Sequence, residues 1–381
     1  MNYFVVNNHL TCYNNLEVNL MRVSVKECRD YEQATKAINA VFAELGGAEK
    51  FIKKGDRVLI KPNLVAPKNP KGAATTHPAV VKAVCDIVTR AGGIVTIADS
   101  PGGPFTKPLL SYTYKVCGLS DLGYNLNYDT KVREVKYNGE TAKSFPIIAP
   151  FFDCDKIINI AKLKTHSMSF FTGGVKNLYG LVGGMTKTEY HLRYKDNFFS
   201  MLVDLCEFAA PALTIIDGVV GMEGNGPMNG SPREIGVIIG SENPHLADCA
   251  AVKIIGADPE KVGTLKNAMG RGLCPENMDE FLADSDIEKF IISDFKYPDT
   301  NNMFRVKIPK FAGKLFEKVM LPYPKFDAQR CVLCMHCRDV CPAGAISKTD
   351  KLVLNKKKCI KCYCCQELCP HNAVYFKKSN P

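Results

Sequence analysis

Apolar residues in the first 290 positions alternate between short runs and longer helix-like stretches. The segments at 22–27, 57–63 and 94–100 are short and rich in Val and Ile, as in buried strands. Between them, residues 31–45 and 77–93 carry apolar positions three and four apart and end at paired glycines, a common helix stop. Strands that alternate with helices predict an α/β fold with a mainly parallel sheet that is covered on both faces.

The alternation also sets the predicted domain boundaries. Later strands at 156–164, 213–219 and 235–241 extend the pattern to about residue 290, and turn-forming and proline-containing segments follow. The chain divides into four predicted segments: an N-terminal extension at 1–20, a two-lobed α/β domain at 21–290, an irregular segment and linker at 291–325, and a carboxyl-terminal domain at 326–381.

Two cysteine runs repeat in the carboxyl-terminal domain, each with the spacing Cys-x2-Cys-x2-Cys-x3-Cys-Pro. Three closely spaced thiolates reach three corners of a [4Fe-4S] cube, and the fourth cysteine, before proline, reaches the other cube. The predicted ligands are Cys331, Cys334, Cys337 and Cys369 for one cluster, and Cys359, Cys362, Cys365 and Cys341 for the other. Cys364 falls outside the spacing and is predicted to be a spectator.

Structural zinc is the alternative for these runs, because paired cysteines also bind zinc. Two complete runs, both with their prolines, favour two [4Fe-4S] clusters instead. The domain resembles the bacterial two-cluster ferredoxins, and the resemblance implies an α+β domain that transfers electrons.

Composition and charge indicate the cellular compartment of the protein and the class of partner that it binds. Seventeen cysteines without a signal-peptide pattern predict a reducing cytoplasm, in an anaerobe, and no apolar run is long enough for a bilayer. The net charge of +10 suggests nucleic acid, but from Lys325 onward eleven Lys/Arg against four Asp/Glu already give +7. Cluster thiolates offset part of that charge. The sequence therefore predicts an acidic redox partner protein, and neither nucleic acid nor a membrane.

Polar residues follow several of the predicted strands, at the edge where open α/β sheets bind ligands. The candidate catalytic residues are His77, His166, Lys176, Lys61 and Asp99, and the candidate cofactor-binding residues are Gly173, Gly174, Asp217 and Glu223. Lysines and histidines suit a small anionic substrate and proton transfer, and glycines let the backbone approach a ligand. Under the alternative, each histidine is a structural hydrogen-bonding residue, each lysine a solvated charge and each glycine a turn.

We also expect the two lysines and two histidines of the catalytic set to converge on one cleft. Nucleotide binding has no support, because the glycine-rich segments lack the spacings of a P-loop and of a dinucleotide fingerprint.

Several of these segments resemble the family named domain of unknown function 362, which is often joined to such a ferredoxin. They are KPNLV (61–65), ATTHPAVVKAV (74–84), IADSPGG (97–103), KLKTH (162–166), TGGVKNLYG (172–180) and DGVVGMEGNGP (217–227). The resemblance implies an α/β fold over most of 21–290 and no particular reaction.

The stretch from His166 through FFTGGVK to His191 also resembles the nickel-pincer lactate racemase family, with Thr76-His77 as an earlier element. The resemblance implies that His77 and His166 are acid/base residues, that Lys176 attaches the pincer cofactor, and that His191 is a nickel ligand. That family carries no ferredoxin.

The combined interpretation is an iron–sulfur redox enzyme that passes electrons through two [4Fe-4S] clusters to a small anionic substrate or cofactor in the α/β domain. Two alternatives remain: an electron-transfer adaptor that docks a partner protein, and a non-redox isomerase or cofactor-maturation enzyme with accessory clusters. An enzyme predicts a closed polar pocket near a cluster, and an adaptor predicts an exposed patch without a pocket.

Overall fold

A computed structural model of the protein describes residues 22–194, 197–282, 286–298, 323–371 and 373–375. Within these residues, strands and helices alternate through the first domain, and the predicted α/β fold is confirmed. The predicted extension at 1–20 lies outside the described residues, as does most of the predicted linker.

The strands are β1 (Val23–Glu27), β2 (Arg57–Pro62), β3 (Ile94–Ile97), β4 (Asn125–Leu126), β5 (Val132–Lys136), β6 (Ser144–Ile148), β7 (Lys156–His166), β8 (Phe170–Thr172), β9 (Leu213–Glu223), β10 (Ser231–Ser241), β11 (Lys325–Phe326), β12 (Ile346–Lys348), β13 (Leu352–Leu354) and β14 (Val374–Tyr375). The α-helices are α1 (Ala34–Glu44), α2 (Ala48–Phe51), α3 (Pro78–Arg90), α4 (Lys107–Val116), α5 (Gly174–Asn177), α6 (Thr186–Tyr194), α7 (Phe198–Ala209), α8 (Pro244–Ile254), α9 (Gly263–Gly270), α10 (Met278–Phe281), α11 (His336–Asp339) and α12 (Cys364–Glu367).

Eight strands form the main sheet, in the order β1-β10-β9-β7-β2-β3-β4, with β8 paired to β7. The five neighbours from β9 to β4 run parallel to one another. Strand β10 is antiparallel to β9, and β1 is antiparallel to β10. The sheet is therefore mainly parallel, as the alternation of strands and helices predicts.

Both faces of the sheet are covered, and strand β2 shows how. Its side chains alternate, so Val58 and Ile60 pack with helices α1 and α3 on one face. Leu59 points to the other face and packs with helix α7. Farther along the sheet, Ile216 and Val237 pack against helices α8 and α9. This double coverage explains why the strands are apolar at nearly every position.

Strand β7 extends past the end of its neighbour β2. Ile160 lies opposite Pro62, the last residue of β2, and β7 continues to His166. Strand β8 then folds back on this extension, with Thr172 opposite Lys164. The carboxyl edge of the sheet therefore carries an extra hairpin, which brings two segments of the chain to one place.

The carboxyl-terminal domain repeats one local conformation. Met335 and Tyr363, which are 28 residues apart, both adopt left-handed backbone conformations and directly precede helices α11 and α12. Leu333 and Lys361, at the same separation, are also left-handed. The two cysteine runs of the sequence thus fold alike, and the strand pairs β11–β14 and β12–β13 complete an α+β domain.

Among the described residues, no helix has both the length and the apolar character that crossing a membrane requires.

Candidate functional site

A cavity of about 720 Å³ lies at the carboxyl edge of the sheet, between the α/β domain and helix α12 of the carboxyl-terminal domain. The Lys, His, Asp and Glu side chains that line it are Lys61, Asp99, Lys164, His166, Lys176, Lys187, His191 and Glu367. All but Glu367 come from the α/β domain.

Parallel strand ends account for most of this clustering. Lys61 is the penultimate residue of β2, and Lys164 and His166 lie on the projecting end of β7. Lys176 lies on helix α5, which begins directly after β8 has returned to the same edge. The predicted convergence therefore holds for Lys61, His166 and Lys176.

Lys61 and Asp99 form a buried ion pair at the bottom of the cavity. Lys61 Nζ lies 2.8 Å from Asp99 Oδ1, and both side chains are almost fully buried. Asp99 Oδ2 also accepts a hydrogen bond of 2.8 Å from the backbone N–H of Leu64. Because each charge has partners, the pair is a fixed part of the cavity wall.

Gly180 must lack a side chain for this pair to fit. A Cβ at that position would lie 1.8 Å from Asp99 Oδ1 and 2.6 Å from Lys61 Nζ. We expect Gly180→Ala to lower the free energy of unfolding by about 1–3 kcal/mol, as overpacking does. Urea denaturation followed by circular dichroism measures this. Gly72→Ala, where an added Cβ meets nothing within 4 Å, is the matched control. Equal effects at both positions would contradict the prediction.

His166 is held in one tautomer by the backbone. Its Nδ1 accepts hydrogen bonds from the N–H groups of Met168 (3.1 Å) and Ser169 (3.3 Å), so a neutral ring carries its proton on Nε2. Burial, and then the nearby Lys176, lower the pKa of His166 to about 4. Nε2 lies 3.0 Å from Lys176 Nζ and 3.5 Å from Glu367 Oε2. The Nε2 proton is therefore directed into the cavity, toward the Glu367 carboxylate and toward Lys176. Lys176, whose pKa burial lowers, can receive this proton only as the neutral amine.

Lys164 and Lys187 are buried beside neutral oxygens. Lys164 Nζ donates to Asn63 Oδ1 (2.7 Å) and to the Ala74 carbonyl (2.6 Å), and Lys187 Nζ donates to the carbonyls of Ser100 and Pro101. Within the described ranges, neither lysine forms an ion pair with a carboxylate. Burial lowers the pKa of each to about 7. These two amines can therefore gain or lose a proton near neutral pH.

His191 also faces the cavity, where its ring stacks on Phe198 with centroids 4.2 Å apart. Burial lowers its pKa to about 3, so the ring is neutral at physiological pH. The structure brings it into the same cavity as Lys176, as the racemase resemblance implies. A role for His191 as a nickel ligand stays a prediction.

His77 is absent from the cavity lining, and its expected convergence with the other three residues is wrong. The ring stacks on Tyr31 with centroids 3.5 Å apart, and its Nδ1 caps helix α3 by accepting from the N–H of Ala79. Its backbone N–H donates to Asp217 Oδ2. His77 opens a helix rather than ending a strand, and its ring is used in capping that helix and in stacking on Tyr31.

Gly173 and Gly174 also lie outside the cavity lining. The N–H groups of Gly174 and Val175 donate to the carboxylate of the buried Asp248. A Cβ at Gly173 would lie 2.1 Å from Asp248 Oδ1. These glycines let the backbone approach a carboxylate of the protein itself, so the geometry gives no support to their predicted cofactor contact.

Asp217 and Glu223 likewise bind parts of the protein. Asp217 Oδ2 lies 2.8 Å from Lys162 Nζ, in a pair that is fully buried. Glu223 accepts a hydrogen bond of 3.1 Å from the backbone N–H of Lys296. Neither lines the cavity, so the geometry supports structural roles for both.

Two smaller cavities in the carboxyl-terminal domain, of about 320 and 330 Å³, are lined by cysteines. The first is lined by Cys331, Cys334, Cys337 and Cys369, and the second by Cys341, Cys359, Cys362 and Cys365. These are the two predicted ligand sets, including the exchange of the fourth cysteine between the runs. The cysteines of each set supply four sulfur donors, which suit an iron–sulfur cube that takes four thiolates, and Cys364 is a fifth cysteine beside the second space.

Cys364 has a position that its irregular spacing did not reveal. It is buried, and it lines both the second cysteine cavity and the central cavity. The second cysteine set and the central cavity are therefore adjacent, and Cys364 lines both spaces.

Sequence reasoning missed two cavity residues, Lys187 and Glu367. Lys187 lies in a polar helix, α6, whose apolar spacing gives no sign that one face is buried. Glu367 reaches the cavity only because the carboxyl-terminal domain packs over the sheet edge. No pattern within either segment signals that contact.

Comparison with known proteins agrees with this architecture. Residues 58–253, about half of the chain, match the family described as "Domain of unknown function (DUF362)", and residues 323–370 match the "4Fe-4S dicluster domain". The thylakoid-associated protein sll1697 of Synechocystis sp. is 29% identical over 310 residues, which is 80% of this chain and 96% of that protein.

Among solved structures, the lactate racemase apoprotein from Thermoanaerobacterium thermosaccharolyticum is similar, with a TM-score of 0.42 and 13% identity, over 60% of this chain and 56% of that chain. The resemblances to the DUF362 family and to the two-cluster ferredoxins are thus confirmed. The chain belongs to the DUF362 family and carries a 4Fe-4S dicluster domain at its carboxyl end, which makes it an iron–sulfur protein.

Proposed function

We propose that the protein is an oxidoreductase that passes electrons from two [4Fe-4S] clusters to a small anionic substrate or cofactor in the central cavity. The observation that carries the proposal is that both domains line this cavity, and that Cys364 also lines the second cysteine cavity. Iron–sulfur clusters supply electrons one at a time. A ligand in the central cavity would lie next to the place where those electrons arrive.

The charge of the cavity supports an anionic ligand. Four lysines and two carboxylates line it, so its formal balance is +2 with neutral histidines. Lysines placed together in a buried site repel one another unless an anion lies among them. Lys61 pairs with Asp99, whereas Lys164 and Lys187 form no ion pair among the described residues, so we take these two as the cations that attract the ligand.

Residues of the chain would also supply protons, which reduction of most organic groups requires. Nε2 of His166 carries its proton toward the cavity, and Lys176 Nζ lies 3.0 Å away. We assign this pair as the acid/base group. Lys61 and Asp99 would hold the floor of the site in place.

An acidic electron-carrier protein is the proposed donor. Eleven Lys/Arg against four Asp/Glu from Lys325 onward favour a partner of opposite charge. The seventeen cysteines favour a reducing compartment such as the cytoplasm of an anaerobe.

Metal content tests the cluster assignment. After anaerobic reconstitution, we expect about eight iron atoms per chain and the electron paramagnetic resonance of two reduced clusters. Four or fewer iron atoms, or zinc in their place, would sink the two-cluster proposal.

Anion binding tests the cavity. Isothermal titration of the reconstituted full chain with malonate, succinate and inorganic phosphate should show one site, and Lys164→Met should weaken it at least tenfold. Lys36→Met, an exposed lysine on helix α1, is the control. If no anion binds, or if both variants weaken binding equally, the anionic-ligand proposal fails and the adaptor alternative gains support.

The affinity for such an anion should depend on pH in a defined direction. The buried Lys164 and Lys187 have pKa values of about 7, and only their protonated forms attract an anion. Binding is therefore strongest below pH 7 and weakens as the pH rises through 7, by up to about a hundredfold per unit if both lysines take up a proton. Titrations at pH 6, 7, 8 and 9 measure this slope. An affinity that is constant from pH 6 to 9 would contradict it.

A further inference from the structure

We infer that the ligand of the central cavity carries a carboxylate, and that Glu367 occupies the binding position of that carboxylate until the ligand replaces it. The inference rests on the proposed function, because it takes an anionic ligand in the cavity as its starting point. It adds the chemical class of the ligand and the residue that competes with it.

The Glu367 carboxylate lies beside His166 and Lys176, so this part of the cavity can bind a carboxylate. Oε2 lies 3.5 Å from His166 Nε2, which in turn lies 3.0 Å from Lys176 Nζ. The imidazole N–H and the amine are the kinds of donor that bind a ligand carboxylate in a buried site. A side chain from the other domain thus fills an anion position of the α/β domain.

The contact of Glu367 is looser than those of the structural carboxylates nearby. Asp99 and Asp217 each lie 2.8 Å from a lysine Nζ, and each also accepts a backbone N–H. The distance of 3.5 Å from Glu367 to His166 exceeds that of an ordinary hydrogen bond. The Glu367 side chain is 18% exposed, whereas the other two are at 4% and 0%. Glu367 is therefore the carboxylate that a ligand can displace.

Two further lysines in the cavity indicate that the ligand carries a second anionic group. One ligand carboxylate would take the place of Glu367 beside His166 and Lys176. Lys164 and Lys187 line the same cavity and have only neutral oxygen partners among the hydrogen bonds described above. A small dicarboxylate would satisfy both regions, and phosphate would satisfy only one.

This exchange would occur beside the cluster domain. Cys364 and Leu368, which flank Glu367 on the chain, line the central cavity, and Cys364 also lines the second cysteine cavity. A ligand that replaces Glu367 would therefore lie against the part of the carboxyl-terminal domain that holds the second cysteine set.

The test is titration of the anaerobically reconstituted full chain with succinate, malonate and inorganic phosphate. Glu367→Gln keeps the shape of the side chain and removes the competing carboxylate, so we expect dicarboxylates to bind at least tenfold tighter than to the unaltered protein. Phosphate affinity should change less than threefold. Asp339→Asn is the matched control, because Asp339 holds the same position in the first cysteine repeat and does not line the cavity.

A second variant separates occupancy of the site from a simple loss of charge. Glu367→Asp keeps the charge but shortens the side chain, so dicarboxylates should again bind tighter, by a smaller factor. If Glu367→Gln fails to retain its iron, Glu367→Asp alone tests whether the Glu367 carboxylate competes with the ligand.

Unchanged dicarboxylate affinity in both Glu367 variants, or an equal gain for phosphate, would overturn the inference while leaving the anionic-ligand proposal intact. Absence of all anion binding, in the unaltered protein and in the variants, would instead overturn the proposed function.

Discussion

Cys341→Ser is expected to remove the cluster of the second cysteine run and to spare the cluster of its own run. Cys341 lines the same cavity as Cys359, Cys362 and Cys365, not the cavity of its nearer neighbours. A cube that loses one of four thiolates is released or degrades, so iron should fall from about eight to about four atoms per chain. Iron analysis and electron paramagnetic resonance of the reduced protein measure this loss.

Cys364→Ser is the control for that experiment. Cys364 lines the second cavity but lies outside the four-cysteine spacing, so its replacement should leave about eight iron atoms per chain. Loss of the first cluster in Cys341→Ser, or equal losses in the two variants, would show that the fourth ligand is assigned wrongly.

Lys162→Met should lower the free energy of unfolding by about 3–5 kcal/mol, because it leaves a buried charge without its partner. Lys162 Nζ lies 2.8 Å from Asp217 Oδ2, and neither side chain is exposed. Lys162 Nζ also donates to the Tyr31 hydroxyl at 2.8 Å, so a second hydrogen bond disappears with it. Methionine fills a similar volume, which limits the contribution of a cavity.

Anaerobic urea denaturation followed by circular dichroism measures this effect. The comparison is Lys82→Met, which breaks the largely exposed pair between Lys82 and Asp86 on helix α3 and should cost less than about 0.5 kcal/mol. The prediction is contradicted if Lys162→Met lowers the free energy of unfolding by less than about 1 kcal/mol, because another group must then compensate the charge of Asp217.

The grouping of the cysteines into two sets and the sheet were predictable because they follow from local patterns. A cysteine run brings three thiolates together over seven residues, whatever surrounds it, and the proline after the fourth cysteine indicates its exchange. Val58, Leu59 and Ile60 are all apolar because the parallel sheet is covered on both faces. The parallel direction of β2 and β7 then brought Lys61 and His166 to one edge.

The same reasoning failed where a residue had a partner within the protein that its residue type did not reveal. His77 caps helix α3, and Gly174 donates to Asp248, so both are used within the protein. From the sequence, a histidine or glycine at a strand end is equally consistent with ligand binding and with such internal contacts. Distances to residues far along the chain were needed to decide between them.

By itself, the sequence determined the α/β class, the two cysteine sets and the edge of the sheet where polar residues gather, because each depends on spacing within a short segment. Only the tertiary structure decided that the carboxyl-terminal domain closes the cavity. The contact between Glu367 and His166 joins residues 201 positions apart, and no local pattern around either residue encodes that pairing. Lys164 and Lys187 line the same cavity as this carboxylate, and their burial lowers the pKa of each to about 7.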